Sequence, residues 1–470
     1  MVRLEKLEKI LFYVFVFALP FQTRVTLHQY GIASLAEYNS LFLYLTDALL
    51  VVLLALWAVR VLSKERMPIS FSQAWRALHE IEPLYWFLIG FWVLTVLASF
   101  PPRSVALSLY QVIKTAEVIL LFAYVTISFK RYRLVTVLAV FLAAVLFQSL
   151  IGFLQFTFEQ AAPLGILGGS QSPPTLFVEN LFLLRPYGTL SNPNMLAVFV
   201  SVALFLLFYL LMKRRFFDDY PNPNFLPKEE ERALFKDSFT RIALLLLSFW
   251  LMAALVLTFS RTVILLFFAM LALDAVFLWK CDWFRIYQQR FLYIIAIVLG
   301  IMLLLGMLVI PEFLARTQPV VSLLQQNDHI LDPSAVNFIG ESPLFGVGAG
   351  YYVFKLHQES PDIPVLALQP VNNVYLLIAS EMGLIALGFF VAFLLYLLYG
   401  LVKAYLKESD LTAKLWKSQL LILFLFVTAV SFFTHVFWVF QQGRLLYWLI
   451  LAIMVATATE VKKEAAATTS

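Results

Sequence analysis

Two arginines stand where anion chemistry is easiest to build. Arg185 opens the stretch RPYGTLSNPNMLAVF, and Arg261 lies in TFSRTVILLF. Each precedes or starts a long apolar run. In the first, Gly188 and Asn192–Pro193 mark a turn, and Asn194 reads as the N-cap of the helix that follows. Helix starts carry unpaired N–H groups and the positive end of the backbone dipole, which together attract anions. A guanidinium adds a permanent charge and a planar fork of donors matched to phosphate oxygens. A third helix start lies at Asn372–Asn373, heading PVNNVYLL. These features predict recognition of a diphosphate headgroup. The plainer role for any one interfacial arginine is to snorkel toward lipid headgroups.

Other groups are candidates because of where they sit. Asp47, Lys114, Glu117 and Asp274 fall inside apolar runs, where ionisable side chains are costly and mark function by default. The spacing predicts a buried pair between Lys114 and Asp47, and Lys114–Glu117 can also pair at i,i+3. Of five histidines, His79 falls on the opposite side from the arginine-led starts. His435, in FFTHVFWVFQQGR, is either a satisfied interhelical residue or part of a site. His329 and His357 fall in a long loop. No His/Cys/carboxylate cluster has metal-ligand spacing, so no metal is expected. The glycine-rich PLFGVGAGYY (residues 343–352) follows no strand and lacks nucleotide-loop spacing. It reads as a tight turn, with Gly348 able to bring backbone close to a ligand.

The elements that must hold these groups are membrane helices. Of 470 residues, 62% are hydrophobic and only 13% are charged, with mean hydropathy +0.86. Soluble domains hold about 45–50% apolar and about 25% charged residues. A soluble enzyme, a nucleic-acid binder and a disordered chain are therefore excluded. The runs are apolar throughout rather than alternating, which excludes a β-barrel. Apolar segments predict twelve helices near 10–22, 41–62, 84–100, 104–127, 134–157, 194–212, 242–259, 262–279, 291–310, 373–402, 418–439 and 445–460. The basic N-terminal stretch resembles a signal peptide without a small-residue cleavage site, so it is expected to remain as the first span.

Charge orients the bundle. With the N- and C-termini cytoplasmic, twenty-six of the 34 lysines and arginines fall inside and seven outside, with Lys114 within a span. This asymmetry is the positive-inside pattern. The sequence pI of 9.0 is then a matter of topology rather than a nucleic-acid footprint. The expected architecture is an all-α polytopic membrane protein forming a single domain over 1–470. It has outer loops at 158–193 and 311–371, the larger lying between helices 9 and 10, and a cytoplasmic loop at 213–241. No internal repeat is visible, so the usual pointer to a secondary transporter is missing. One cysteine, Cys281, excludes an intramolecular disulfide. Six of the seven outside cations are arginine, and the long loops share that face, so the chemistry is expected there too.

In order along the chain, LPFQTR, GTLSNPN, TFSRT, SPLFGVGAGYY, NNVYLLIASEMGLIALGFF and HVFWVFQQGRLLYW resemble the O-antigen ligase / O-antigen polymerase superfamily of bacterial membrane glycosyltransferases. The resemblance implies a bacterial cytoplasmic-membrane enzyme of cell-surface polysaccharide biosynthesis. It would pass a glycan from an undecaprenyl-diphosphate carrier to an acceptor hydroxyl on the outer face, with inversion and without metal or other cofactor. Its partners would be the carrier-linked glycan, a glycan or lipid acceptor and membrane lipids, with no nucleic acid. Arg185 and Arg261 correspond to the arginines that hold the diphosphate. Cations there stabilise charge developing on the leaving group. Asn194, Asn373, Gly348 and His357 are the candidate acceptor and loop contacts.

One departure bears on mechanism. The superfamily usually has a histidine general base immediately before the asparagine that starts the tenth span, where this chain has Asn372. An amide orients a hydroxyl but does not take its proton at neutral pH. Three readings stay open. The base is another residue, with His435, Glu341 and His357 as candidates; or a strong base is unnecessary; or the protein binds carrier-linked glycan without turnover. A lipid-linked oligosaccharide flippase is the alternative from another class. Ligase and polymerase are not separable from one sequence.

Overall fold

A computed structural model describes residues 2–29, 38, 40–64, 83–100, 105–160, 175–178, 181–212, 237–280, 300, 333–360 and 368–458. Among these residues the first eight helices are α1 (Val2–Ala18), α2 (Leu45–Lys64), α3 (Pro83–Ala98), α4 (Val105–Ser128), α5 (Leu134–Phe158), α6 (Pro193–Met212), α7 (Asp237–Leu257) and α8 (Arg261–Lys280). Two short helices follow, α9 (Pro333–Glu341) and α10 (Tyr352–Glu359). The chain then forms α11 (Val374–Lys407), α12 (Leu411–Phe433), the single turn α13 (Val436–Val439) and α14 (Gln441–Ala458). Eleven of the twelve expected apolar runs thus carry a helix; the run 291–310 lies almost wholly outside the described residues. Among the described residues, five helices have the length and apolarity needed to cross a membrane: those over Val105–Arg131, Leu134–Phe158, Pro193–Met212, Val374–Lys407 and Ala413–Phe433. The protein is an all-α, multi-pass membrane protein.

Which helices face lipid follows from their sides. Nearly every residue of α6 is buried, from Met195 to Met212, and α14 is buried from Leu445 to Ala452. A helix apolar all round belongs at the centre of a bundle. Accordingly, α6 packs against α5, α7, α8 and α12, and α14 against α4, α11, α12 and α13. The outer helices keep one face uncovered. Leu265, Leu395 and Leu406 are exposed there, as apolar side chains in hydrocarbon are expected to be.

Several boundaries differ from the hydropathy reading. Helix α1 starts at Val2, ahead of the apolar run. Its polar first turns contain good helix formers, and Glu8 turns inward to pair with Arg60 of α2 (Nε–Oε2 2.5 Å, Nη2–Oε1 3.0 Å). The second apolar run does not begin as helix. Strand β1 (Arg24–Gln29) pairs antiparallel with β2 (Ser40–Tyr44), whose inside–outside alternation marks a strand. A second hairpin, β3 (Thr175–Val178) with β4 (Leu181–Leu184), lies within the expected outer loop 158–193. In the connector 213–241, Asp237 already starts α7, and 213–236 lie outside the described residues. The long loop 311–371 holds α9 and α10, with 311–332 and 361–367 outside the described residues.

Candidate functional site

Arg185 sits in a turn held by two glutamines of α5. Gln155 Oε1 accepts from Tyr187 N (3.1 Å) and Gly188 N (2.9 Å), and its Nε2 donates to Gly188 O (2.7 Å). Gln148 Oε1 accepts from Thr189 N (2.8 Å). Positions 148 and 155 lie seven apart and so share a helix face. Gly188 is required in this turn: its φ is +66°, and Gln148 occupies the place of a Cβ. The turn aims Arg185 at two helix starts. Its Nε donates to the Thr258 carbonyl (3.0 Å), and one Nη reaches Asn194 Oδ1 (3.3 Å). Thr258 lies in the α7–α8 turn, where Phe259 adopts φ 52° and Ser260 leads into α8. Arg261 is the exposed first residue of α8.

The cap of α6 is Asn192 rather than Asn194. The Asn192 Oδ1 accepts from Asn194 N (2.8 Å), and Pro193 takes the first helical position, which suits its fixed φ and missing N–H. Asn194, one residue into the helix, is thereby freed to meet Arg185. At α11 the cap is Asn373, whose Oδ1 accepts from Tyr375 N (2.9 Å) and Leu376 N (3.1 Å). Asn372 lies one residue outside the cap, half-buried.

The glycine-rich segment is spliced into a break in α11. Gly383 has φ 85° and ψ 170°, which interrupts the helix. The carbonyls released there are met by loop donors, Val347 N to Ser380 O (2.8 Å) and Gly348 N to Glu381 O (3.0 Å). In return, Leu384 N donates to Pro343 O (2.8 Å). Gly348 itself therefore spends its N–H on the helix break. The buried Glu381 carboxylate is held by the N–H groups of Gly350 and Tyr352 and by the Trp438 side chain.

Beside this splice lies the ionic cluster. Lys114 pairs with Asp47 and with Glu117 (3.1 Å). Gln441 Nε2 donates to Asp47 Oδ1 (2.9 Å) and Glu117 Oε2 (3.1 Å), and Tyr44 N donates to Asp47 Oδ2 (3.0 Å). Arg444 is buried on α14 and gives its Nε and one Nη to the Trp438 carbonyl. Of these groups Lys114, Gln441 and Arg444 edge a partly open cleft between the β1–β2 hairpin, the head of α4, the glycine-rich loop and α13–α14. Tyr44, Tyr110, Gln111, Glu381, Trp438 and Arg444 are among its walls.

The remaining candidates are distributed around this region. His435 is buried just before α13. It contacts the backbone of Val371, next to Asn372, and its Nδ1 has no partner among the described residues. The buried Lys355 of α10 pairs with the exposed Glu341 of α9, and the exposed Glu359 joins (3.3 Å). His357 lies half-buried on α10. Asp274 of α8 is fully engaged by Gln419 of α12 (2.7 and 2.8 Å). His79 and His329 lie outside the described residues. Among those described, no group of three His, Cys, Asp or Glu could hold a metal ion.

Sequence reasoning missed Glu381, Gln441 and the burial of Arg444. The first had a signal, a carboxylate in the apolar run 373–402. The second and third fall at a helix start, where polar residues are unremarkable until the fold turns them inward. Compared with models of protein families and with curated protein sequences, the chain matches none.

Proposed function

We propose that this protein transfers a glycan from an undecaprenyl-diphosphate carrier to an acceptor hydroxyl, as an O-antigen ligase or polymerase does, at the outer face of a bacterial cytoplasmic membrane. In this reading the chain crosses the membrane twelve times with both termini inside. The observation that carries it is Arg185, which bridges the start of α6, at Asn194, to the turn that starts α8, at Thr258. Arg185 thereby joins two helix starts from distant parts of the sequence, and Arg261 is the exposed first residue of the second. Their dipoles and charges favour a diphosphate, and more so as negative charge grows on it when the glycosidic bond breaks.

The acceptor hydroxyl must lose a proton, and Asn372 does not take it. His435 fills the gap by position, because its ring contacts Val371, the neighbour of Asn372. Asn372 orients the hydroxyl and His435 accepts its proton. Glu341 is a poorer base, being committed to Lys355.

Arg261 gives the cleaner test, since Arg185 also holds backbone together. Purified protein in liposomes is supplied with undecaprenyl-diphosphate oligosaccharide and acceptor, and released carrier diphosphate and glycan mass are followed together. Arg261→Ala should lower turnover by roughly 10²–10³-fold, as loss of a charge stabiliser does elsewhere, with an unchanged unfolding midpoint. Normal turnover in Arg261→Ala overturns the site; carrier-linked glycan crossing the bilayer without bond cleavage favours a flippase instead.

A further inference from the structure

Helix α11 is longer than a bilayer is thick. Its 34 residues amount to about 51 Å of helix, against about 30 Å of hydrocarbon. Burial shows which part meets lipid. From Val374 to Gly383 every residue is buried or half-buried, whereas exposed apolar side chains begin at Leu384 and continue through Phe389, Leu395 and Tyr399 to Leu406. Leu384 and Leu406 lie about 33 Å apart along the helix, which matches the hydrocarbon layer with little tilt. The segment before Leu384 is covered by protein instead. Leu377 belongs to a small separate core with Phe338 of α9, Val347 of the glycine-rich loop and Tyr352 and Leu356 of α10. The break at Gly383 therefore marks an edge of the bilayer, with a small extramembrane cap beyond it.

At that edge the glycine-rich loop leaves two apolar side chains uncovered. Leu344 is 55% exposed and Phe345 43%. Their level is fixed by the splice: Leu384 N donates to Pro343 O (2.8 Å) and Val347 N to Ser380 O (2.8 Å), so the loop tip lies beside the first lipid-facing turn of α11. Gly346 has φ +70°, and a Cβ there would strike the Glu381 backbone, so the loop is pressed onto the helix behind its tip. The end of α3 adds Leu97 and Phe100, both exposed, where Ala98 O lies 3.9 Å from a Cβ built on Gly348. On the cap side the surface turns polar, at the exposed Glu341 and Glu359 that pair with Lys355. Two side chains fall far short of the roughly 1,200 Å² that a stable protein interface buries, and they continue a surface that already faces hydrocarbon. We propose that Leu344 and Phe345 form a lipid wedge, seated among the acyl chains of the leaflet next to α9 and α10. The glycine-rich loop is then a lipid-contacting element rather than a solvent loop. The bilayer steadies the same loop whose Gly350 lines the cleft. The wedge requires neither glycan transfer nor one orientation of the chain.

The test is site-directed spin labelling of the full-length protein in phosphatidylcholine liposomes. The sole cysteine is removed by Cys281→Ser, and a nitroxide is attached in turn at Leu344→Cys, Phe345→Cys, Leu395→Cys as the lipid reference and Glu359→Cys as the water reference. Power saturation compares collisions with oxygen, which concentrates in hydrocarbon, and with a water-soluble nickel chelate. The oxygen-to-nickel ratio at Leu344 and Phe345 should match that at Leu395 and exceed that at Glu359 by at least about tenfold, because a polar complex is excluded from hydrocarbon. The two wedge positions are labelled separately and each protein is checked against the parent's unfolding midpoint, so a folding defect at one leaves the other informative. A ratio like that of Glu359 at either position in a folded protein overturns the wedge. Shielding from both reagents with spin–spin broadening also overturns it, and places a second copy of the chain on this surface instead.

Discussion

The same substitution, glycine to alanine, should act in opposite directions at two points five residues apart on α11. At Gly383, φ 85° and ψ 170° lie in a region essentially reserved for glycine, and holding another residue there costs about 1–3 kcal/mol. A methyl group would also strike the Leu344 carbonyl and lie 2.5 Å from Phe345 N. Relief requires the loop to move, which endangers the bonds Leu384 N to Pro343 O and Val347 N to Ser380 O. Each contributes about 0.5–1.5 kcal/mol net, so Gly383→Ala should cost about 3 kcal/mol. Gly388 has open space around a built Cβ, and alanine there should gain up to about 1 kcal/mol of helix propensity. The assay is unfolding in detergent micelles followed by tryptophan fluorescence, with hydrogen exchange at Val347 and Gly348. The expected order is Gly388→Ala at or above the parent, then Gly383→Ala well below it, with faster exchange at both loop amides in the latter. A Gly383→Ala protein as stable as Gly388→Ala, with unchanged exchange, would refute the spliced-loop account.

Two further outcomes follow from buried and boundary charges. Lys114→Met leaves Asp47 and Glu117 unpaired in the bundle, and breaking such a pair costs about 3–5 kcal/mol; adding Asp47→Asn and Glu117→Gln should recover most of it, read from unfolding midpoints and the monodisperse fraction on size exclusion. At the α11–α12 connection, burial pushes the Glu408 carboxyl up, but the Lys417 ammonium and the N–H groups of Asp410 and Ser409 hold it, on balance, below the ordinary carboxylate range. A depressed folded-state value stabilises above the unfolded pKa, and the contribution is lost as pH falls through the folded one. Glu408→Gln should therefore lower stability at neutral pH by a small amount, under about 1 kcal/mol for a pair near the surface, leave it nearly unchanged at pH values below the folded pKa, and so flatten the acid limb of the midpoint-against-pH curve.

Apolar runs made the helices legible because lipid and core both demand them, and eleven of the expected runs carry helix. The pairing of Lys114 with Asp47 was legible for a related reason: a charge inside an apolar run needs a partner, and few were within reach. What hydropathy averages away is alternation, so Ser40–Tyr44 merged with the helix that follows it. Cap identity was also lost. Asn192 and Asn194 are equally good N-cap types, and only Pro193, whose place is the first helical position, separates them. The break at Gly383 had no local signal, because glycine is tolerated in membrane helices. Its meaning depends on a loop some forty residues upstream.

That dependence on distant segments also ties the two candidate sites together. Pro20 O accepts from Thr189 in the Arg185 turn (3.3 Å), and the next carbonyl, Phe21 O, accepts from Gln442 on α14 (3.1 Å). Consecutive peptide units are rigid planes, so this short connection after α1 fixes the arginine turn relative to the helix start that carries Gln441 and Arg444. The Arg185 turn and the cleft are then positioned by one backbone segment rather than by two independent loops.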